Sequence, residues 1–203
     1  MNNLHWDNIY KKQYEDVQKV IIPLVLQRYP KELKFQRHRL IQLLRRFVKP
    51  FDYVVEFGSG SGHIAELVES LGYEVLATDQ SFWSVKLCRF LGLTSAHFDM
   101  ENPSNKVSAR GAVVLTSCSM EQLGTQWKRF YQYLLRSKPK IVIHQEPLFE
   151  LYGPEDFRMK TYHLQKKYLQ GYLPTIPKHK ILHLQRQTVG HCHWAFSELV
   201  WKP

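Results

Sequence analysis

The stretch VVEFGSGSGHIAEL, from Val54 to Leu67, places three glycines at alternate positions between an apolar segment and a helix-forming one. A strand that ends in glycines and continues into a helix brings backbone N–H groups close to a polar or anionic ligand. The spacing of Gly58, Gly60 and Gly62 is G-x-G-x-G, whereas the dinucleotide fingerprint would require glycine where His63 stands. No G-K-[S/T] follows, which excludes a Walker A loop. The stretch predicts a strand, a ligand-binding loop and a helix.

Three carboxylates are predicted at the ends of three successive strands. Glu56 precedes the first glycine by two residues, Asp79 ends the strand in VLATDQS, and Asp99 ends the strand in AHFDMEN. A buried carboxylate is costly unless a partner binds it, and open α/β sheets bind ligands at the carboxyl edge of their strands. A single strand-end acid is usually a turn former or a helix cap. Three of them beside a glycine loop indicate a nucleoside site, in which Asp79 would accept from ribose hydroxyls.

The remaining pattern predicts an α/β fold. Five short apolar runs, FDYVVEFG, YEVLATD, SAHFDM, GAVVLTS and PKIVIHQEP, alternate with helical segments, which is typical of a parallel sheet. Two later β-like runs, KILHLQRQTVG and HWAFSELVWKP, are joined by a few residues around Gly190, so they form an antiparallel pair. Residues 8–29, with a break at Pro23, and Lys31 to Val48 are predicted to be helical. We therefore expect a seven-stranded, mostly parallel sheet with helices on both faces, a C-terminal antiparallel β-hairpin and N-terminal helices.

Length and composition fit a single domain. The chain has 203 residues and a mass of 24.1 kDa, so residues 1–203 are expected to share one core, with an N-terminal helical segment at 1–50 and the main body at 51–203. The N-terminus has no early apolar run, so neither a secretory signal nor membrane association is expected. Cys88, Cys118 and Cys192 form no C-x-x-C pair, which indicates reduced thiols. These features predict a cytoplasmic protein.

The net charge of +10 is concentrated in two basic segments, residues 28–49 and 158–180. The first holds eight lysines and arginines against one acid, and the second holds six against none. Such segments suggest an anionic partner, either nucleic acid or a phosphorylated or carboxylated small molecule. The alternative is that both are simply solvated faces, as most charge runs are.

VVEFGSGSG, VLATDQS, AHFDMEN and GAVVLTSCSMEQL together resemble the class I, Rossmann-like S-adenosylmethionine-dependent methyltransferases. The resemblance covers residues 51–203 and includes the closing antiparallel pair, which is typical of that fold. It implies S-adenosylmethionine as cofactor and methyl transfer as the activity. By that resemblance Glu56 would contact the methionine part, Asp79 the ribose and Asp99 the adenine amine.

The resemblance also implies a cofactor site from the N-terminal lead-in and four strand ends. Its residues would be Trp6, Tyr10, Glu56, Gly58, Ser59, Gly60, Gly62, His63, Asp79, Gln80, Ser81, Asp99, Met100, Thr116 and Ser117. Trp6 and Tyr10 lie in WDNIY, which looks like a lead-in that closes over the cofactor in some small-molecule members of the family. The alternative for both is an aromatic anchor that packs the first helix on the body.

The fifth predicted strand, in IVIHQEP, provides the catalytic candidates. Its period of two places Val142, His144 and Glu146 on one face. Glu146 is the first candidate for a base or an acceptor-orienting group, and His144 is the second. The alternative is that His144 is a core histidine and that Glu146 caps the helix that follows.

The second basic segment provides the substrate candidates. Tyr162 and His163 lie among tyrosines and lysines in the position where such methyltransferases commonly place substrate-recognition elements. Aromatic and cationic side chains suit an anionic or aromatic acceptor, whereas the alternative is a surface helix with a packed tyrosine stripe. His191 and His193 alternate as two metal ligands could, but no further ligand completes a site, so no metal is predicted.

Three functions are compatible with these residues. The first is in-line methyl transfer to an oxygen or nitrogen atom of a small polar or anionic molecule. The second is methylation of RNA, with the two basic segments as the footprint. The third is an inactive protein that binds the cofactor and serves as a partner. The sequence indicates no particular oligomeric state.

Overall fold

The computed structural model describes residues 3–17, 30–187 and 196–203, which form two compact units, Met1–Phe98 and Asp99–Pro203. The division falls at Phe98 rather than near residue 50. The predicted single domain, with its boundary at residues 50 and 51, therefore stays a prediction.

The first unit contains four helices and three strands within its described residues. In chain order they are α1 (Asn3–Val17), α2 (Pro30–Phe47), β1 (Tyr53–Phe57), α3 (His63–Ser70), β2 (Glu74–Asp79), α4 (Phe82–Phe90) and β3 (Ser95–His97). β1 pairs in parallel with β2, and β2 pairs in parallel with β3. The predicted helix over residues 8–29 is helical as far as Val17, and residues 18–29 lie outside the described part of the chain.

The second unit contains the other strands and two helices within its described residues. They are β4 (Val113–Ser117), α5 (Trp127–Ser137), β5 (Ile141–Glu146), α6 (Phe157–Lys166), β6 (Ile181–Gln187) and β7 (Phe196–Trp201). Short 3-10 helices include Met120–Leu123 and Phe149–Leu151. β4 and β5 are parallel, whereas β7 runs antiparallel to both β5 and β6.

The seven strands form one sheet in the order β3-β2-β1-β4-β5-β7-β6. This confirms the predicted α/β architecture with its C-terminal antiparallel hairpin. The position of β7 between β5 and β6 places the last strand inside the sheet, and all six of its residues are buried. β6 lies at the edge and is mostly half-buried or exposed.

Side-chain periodicity explains the second helix. Leu33, Leu40 and Leu44 are buried at helical spacing, while Arg45 and Arg46 are exposed in the last turn. The helix ends at Phe47, because Pro50 cannot continue it and restricts the residue before it.

α5 buries Tyr133, whose hydroxyl donates to the Val107 carbonyl at 2.8 Å. The structure differs from the predicted strands in one detail. Asp99 was expected at the end of the third strand, but β3 ends at His97, so Asp99 lies in the turn that follows. The strand is shorter than predicted because it ends where its pairing with β2 stops, and local spacing does not specify that point.

Candidate functional site

The glycine loop of the first unit has the backbone that its glycines predict. Gly58, Gly60 and Gly62 have φ angles of 78°, 52° and 81°, in the left-handed region where other side chains are strained. The N–H groups of Gly58 and Ser59 donate to the Thr78 carbonyl at 2.8 and 2.9 Å. The loop is therefore attached to β2 as well as to β1.

Asp79 connects this loop to the start of α4. One of its carboxylate oxygens accepts from the Gly60 N–H at 2.9 Å, and the other accepts from the Ser81 N–H at 2.8 Å. Burial raises the pKa of Asp79, and the hydrogen bonds from Ser81 and Gly60 oppose that rise. A carboxylate has about four acceptor sites, so Asp79 keeps capacity for further donors such as ribose hydroxyls.

Glu56 is buried in β1 and lacks a partner for one oxygen. Its side chain is 1% exposed, and its Oε2 atom is buried with no hydrogen-bond partner among the described residues. Burial and the charge of Asp79 raise the pKa of Glu56 to about 8, and a hydrogen bond from the Ala65 backbone opposes them. A buried acceptor without a donor is costly, so this site suits a ligand that brings an ammonium or a hydroxyl group.

The N-terminal helix contacts the same loop. A Cβ atom placed on Gly60 would lie 2.7 Å from the Tyr10 hydroxyl, so the phenol closely approaches the loop backbone. Trp6 stacks on Tyr10 with ring centroids 5.9 Å apart, and Asp7 accepts a hydrogen bond from the Ser81 hydroxyl. Burial raises the pKa of Tyr10. These contacts agree with the aromatic anchor, and contact of Trp6 and Tyr10 with the cofactor stays a prediction.

The other predicted cofactor residues of this unit have local roles. Ser81 is the N-cap of α4, Ser59 lies 3.8 Å from the Cys88 sulfur, and the Gln80 carbonyl lies 2.9 Å from a ring nitrogen of His97. Burial, and then the charge of Arg37, lowers the pKa of His63 to about 4. His63 is therefore neutral near pH 7.

The remaining predicted cofactor residues, Asp99, Met100, Thr116 and Ser117, belong to the second unit. Asp99 is half-buried, and its carboxylate accepts from the Glu101 N–H at 2.8 Å and from the Asn102 amide at 3.1 Å. This is the turn-forming role that a strand-end acid usually has. Its contact with adenine stays a prediction.

Glu146, the first catalytic candidate, is fully buried and binds backbone amides. One carboxylate oxygen accepts from the N–H groups of Ser119 and Met120, both at 3.1 Å, and the other accepts from Glu121 at 3.2 Å. The alternative that Glu146 caps the helix after β5 is wrong, because these amides begin the 3-10 helix Met120–Leu123, which follows β4. Burial raises its pKa, and hydrogen bonds from Thr116 and these amides oppose the rise.

His144, the second candidate, is fully buried between two hydroxyl groups. Its Nδ1 lies 2.8 Å from the Thr116 hydroxyl, and its Nε2 lies 2.8 Å from the Tyr172 hydroxyl. Burial lowers the pKa of His144 to about 3, so the ring is neutral. The Thr116 hydroxyl also helps to lower the pKa of Glu146 and so lies near its carboxylate. We call Thr116, His144, Glu146 and Tyr172 together the strand-five network. These are the contacts of a core histidine, and the catalytic roles of Glu146 and His144 stay predictions.

The two substrate candidates differ in accessibility. His163 is 2% exposed, and its Nε2 donates to the Leu169 carbonyl at 2.9 Å. Tyr162 is half-buried, and its ring lies edge to face with that of Tyr168, at 5.9 Å between centroids. His163 thus supports the local structure, while Tyr162 is the more accessible of the two.

Three residues of these sites were not predicted from the sequence as partners. Asp7 accepts from the helix cap, Tyr172 binds His144, and Glu121 lies half-buried beside Glu146. Their only signals are an acid in WDNIY, a tyrosine in the basic segment and an acid in SMEQL. None of these signals identifies a partner, since each contact joins residues at least 25 positions apart in the chain.

The described residues contain neither a metal-binding cluster nor a membrane-spanning helix. No group of three or more potential metal ligands occurs there, and His191 and His193 lie outside those ranges. Likewise, no helix in the described part of the chain has both the length and the apolar character needed to cross a membrane.

Comparison with known proteins identifies the fold. No family model and no curated protein matches the chain. Among solved structures, magnesium protoporphyrin IX methyltransferase from Synechocystis PCC 6803, with bound S-adenosylhomocysteine, is 12% identical, with a TM-score of 0.68 and 98% of each chain covered. The N-methyltransferase NodS from Bradyrhizobium japonicum WM9 is 10% identical, with a TM-score of 0.66, covering 95% of this chain and 97% of that one. A methyltransferase from Methanosarcina mazei is 10% identical, with a TM-score of 0.61, covering 79% and 96%. The chain has the class I, Rossmann-like methyltransferase fold.

Proposed function

We propose that this protein is an S-adenosylmethionine-dependent methyltransferase that transfers a methyl group in line to an oxygen or nitrogen atom of a small polar molecule. The observation that carries the proposal is the buried Oε2 of Glu56, which has no hydrogen-bond partner among the described residues. Glu56 lies in β1, two residues before the first glycine of the loop. The cofactor brings a donor of the kind that this oxygen lacks, namely the ammonium group of its methionine part.

The residues present fit this cofactor. Glu56 would accept from the ammonium group, and Asp79 would use its remaining acceptor sites for the ribose hydroxyls. The left-handed glycines allow the backbone of residues 58–62 to approach a ligand closely. When bound, S-adenosylmethionine supplies an electrophilic methyl group on a sulfonium centre.

The chain's own contribution to the reaction is mainly positioning. Effective concentration and alignment account for a large part of the acceleration when two reactants are held in line. His144 is buried and neutral, and Glu146 is occupied by three backbone amides, so neither side chain is free to take a proton in these contacts. We therefore assign Glu146 to orienting the segment Ser119–Glu121 rather than to acting as a base.

A small acceptor is supported by two similar structures, a magnesium protoporphyrin IX methyltransferase and a geranyl diphosphate methyltransferase. The sequence analysis expected an anionic acceptor because of the basic segment 158–180. In that segment Arg158, Lys166 and Lys167 are exposed, which agrees with the alternative of a solvated face. RNA methylation remains the alternative, with the exposed Lys34, Arg45 and Arg46 of α2 as part of its footprint.

Calorimetry with S-adenosylhomocysteine tests cofactor binding directly. The wild-type protein should bind the nucleoside, and Glu56→Gln should bind it more weakly, because an amide cannot lose a proton to become the carboxylate that matches the ammonium group. The exposed Glu69→Gln is the matched control, since it removes the same charge from the end of α3. Failure of the wild-type protein to bind would refute the proposal.

Methyl-labelled cofactor tests the acceptor. The protein is incubated with a cell extract separated into a small-molecule fraction and an RNA fraction. Label in the small-molecule fraction supports the proposal, and label in RNA establishes the alternative. Binding of S-adenosylhomocysteine without label in either fraction would favour an inactive partner protein. The chain has the glycine loop and all three acids of the predicted cofactor site, Glu56, Asp79 and Asp99, which argues against an inactive protein.

A further inference from the structure

We propose that the second unit contains a binding site for an organic ammonium group, formed by the carboxylate of Glu121 and the rings of Phe149, Tyr152, Tyr162 and Tyr168. We call it the aromatic–acid site. It lies among residues that follow β4 and β5 and on α6 and the turn after it.

Glu121 is held in place by its backbone. Its N–H donates to Glu146 at 3.2 Å, and its carbonyl accepts from the Leu169 N–H at 2.8 Å. The second bond places Glu121 beside the residue that follows Tyr168. Gly124 reinforces this packing, because a Cβ atom there would lie 2.7 Å from the Lys167 carbonyl. The position of Glu121 is therefore set before any ligand binds.

The carboxylate of Glu121 has no cationic partner or donor among the described residues. The residue is half-buried, and its neighbour Glu146 is a second acid. Burial, and then the charge of Glu146, raises the pKa of Glu121 well above its ordinary value. An uncompensated acid is unexpected in a chain with 28 lysines and arginines and a net charge of +10. The local field thus favours a cation, and the described part of the chain places none beside the Glu121 carboxylate.

The charge of Glu121 helps to raise the pKa values of Tyr152 and Tyr168, so both hydroxyl groups lie near it, and each of these rings belongs to a steeply angled pair. Phe149 and Tyr152 are 6.0 Å apart between centroids at 73°, and Tyr162 and Tyr168 are 5.9 Å apart at 79°. His163 lies between the two pairs, 5.6 Å from Tyr152 and 5.4 Å from Tyr168. Rings in near-perpendicular planes present their electron-rich faces in several directions, which is how aromatic cages bind alkylammonium groups.

Burial shows which of these side chains hold the site in shape and which a ligand can reach. Tyr152 and His163 are buried, and the Tyr152 hydroxyl lies 3.4 Å from His163 Nδ1. Phe149, Tyr162 and Tyr168 are half-buried and therefore reachable. The Tyr162 ring makes a cation–π contact within the chain, since the Lys166 ammonium lies 5.8 Å from its centroid.

A second unpaired acid lies in the same segment. Both carboxylate oxygens of Glu150, the residue after Phe149, are buried with no hydrogen-bond partner among the described residues. Of the four acids from residue 146 to residue 156, Glu155 and Asp156 pair with Arg186 and Glu146 binds backbone amides, so Glu150 is the acid without a partner there. An anionic ligand would add repulsion here, and a neutral polyol would leave the charge uncompensated. These observations select an ammonium compound.

Binding of the ammonium group at this site stands on these contacts, whereas its identification as the methyl acceptor rests on the proposed function. The acceptor class would then be a small amine or aminoalcohol.

The test uses choline and its neutral isostere 3,3-dimethylbutan-1-ol as probes. The two molecules have nearly the same shape and differ in the positive charge. Saturation-transfer NMR and calorimetry are measured on the full chain. We expect the wild-type protein to bind choline at least about fivefold more tightly than the alcohol, the size of effect that cation–π and charged contacts produce. Equal affinity for the two, or binding of neither, would overturn the proposal.

Two variants locate the site. Glu121→Gln should weaken choline binding about fivefold or more and leave the alcohol unaffected, whereas the exposed Glu69→Gln should change neither. Tyr168→Leu should weaken choline binding independently, so the proposal remains testable if Glu121→Gln fails to fold. Unchanged choline binding in Tyr168→Leu, or in folded Glu121→Gln, would refute it.

S-Adenosylhomocysteine affinity is measured on the same samples. If that nucleoside fails to bind while choline binds, the proposed function fails and the aromatic–acid site stands. If the nucleoside binds and choline does not, the aromatic–acid site fails and the proposed function stands.

Discussion

Glu56 in the first unit and Glu146 in the second are both buried glutamates near the carboxyl end of a parallel strand, and they have opposite surroundings. Glu146 accepts from three backbone N–H groups, whereas one oxygen of Glu56 has no partner among the described residues. Glu146 is therefore part of the fold. Glu56 is available to a ligand, and its burial is a cost that the fold carries until that ligand binds.

The two histidines of the predicted sites extend this comparison. Burial lowers the pKa of both His63 and His144, so both are neutral near pH 7. His63 is half-buried, with Nδ1 3.3 Å from the Ser61 hydroxyl. His144 is fully buried and bonded at both ring nitrogens. His144 is therefore a core residue with both ring nitrogens bonded, whereas His63 is partly exposed beside the glycine loop.

The largest effect is expected from Glu146→Ala. Removing the carboxylate leaves three amides of Ser119, Met120 and Glu121 without their acceptor. We expect the free energy of unfolding to fall by about 4 kcal/mol, since each stranded buried donor costs about 1–3 kcal/mol. Urea denaturation followed by circular dichroism measures it, with Glu69→Ala as the exposed control. A loss below about 1 kcal/mol would contradict the structural role of Glu146.

The pH dependence of stability gives the next effect. The pKa of Glu56 is raised to about 8 by burial and by the charge of Asp79, from an unfolded value near 4.5. A group with a raised folded pKa stabilises the protein fully below its unfolded pKa, and this contribution is lost as the pH rises through the folded pKa. Between pH 5 and pH 7 the free energy of unfolding should therefore fall by about 2 kcal/mol more in the wild-type protein than in Glu56→Gln. If the free energy of unfolding depends on pH in the same way in both proteins, the pKa of Glu56 is not raised by its burial, and its contrast with Glu146 fails.

Asp79→Ala sharpens the comparison, because Asp79 combines both roles. It bonds the Gly60 and Ser81 amides and keeps acceptor capacity for a ligand. We expect S-adenosylhomocysteine binding to weaken by about 2 kcal/mol, together with a loss of thermal stability. Calorimetry and thermal unfolding measure the two effects. Unchanged affinity would refute the ribose assignment.

The smallest effect is expected from Tyr172→Phe. The change removes the hydroxyl group that bonds His144 Nε2 and keeps the ring. We expect the free energy of unfolding to fall by about 1 kcal/mol, with no change in S-adenosylhomocysteine affinity. Denaturation and calorimetry measure the two quantities. A loss of cofactor affinity with unchanged stability would show that the strand-five network acts in binding and not in holding the fold together.

The first unit was the more predictable of the two. Three glycines at alternate positions require left-handed backbone angles, and the structure has those angles at Gly58, Gly60 and Gly62. Glu56 and Asp79 stand at fixed distances from that loop in the chain, so their position at the strand ends followed from the strands themselves. Their hydrogen-bonding state did not follow, because it depends on N–H groups up to 19 residues away, as in the bond from Gly60 to Asp79.

The second unit was predictable in its strands and not in its side-chain contacts. A period of two placed His144 and Glu146 on one face of β5, and Thr116 bonds or contacts both of them. All six residues of β5 are buried, however, so the alternation could not separate core from site. The partners of Glu146 lie 25 to 27 residues away, and Tyr172 lies 28 residues from His144.

The sequence by itself determined the strands, the left-handed glycine loop and the positions of Glu56 and Asp79 near the ends of β1 and β2, because these depend on backbone geometry and on spacing within a few residues. The tertiary structure alone decided that Glu146 binds backbone amides, that Glu56 keeps an unpaired oxygen, and that Glu121 lies beside aromatic rings without a cation. The physical reason is that a buried carboxylate is defined by the donors that reach it. Those donors come from distant parts of the chain, which only folding brings together.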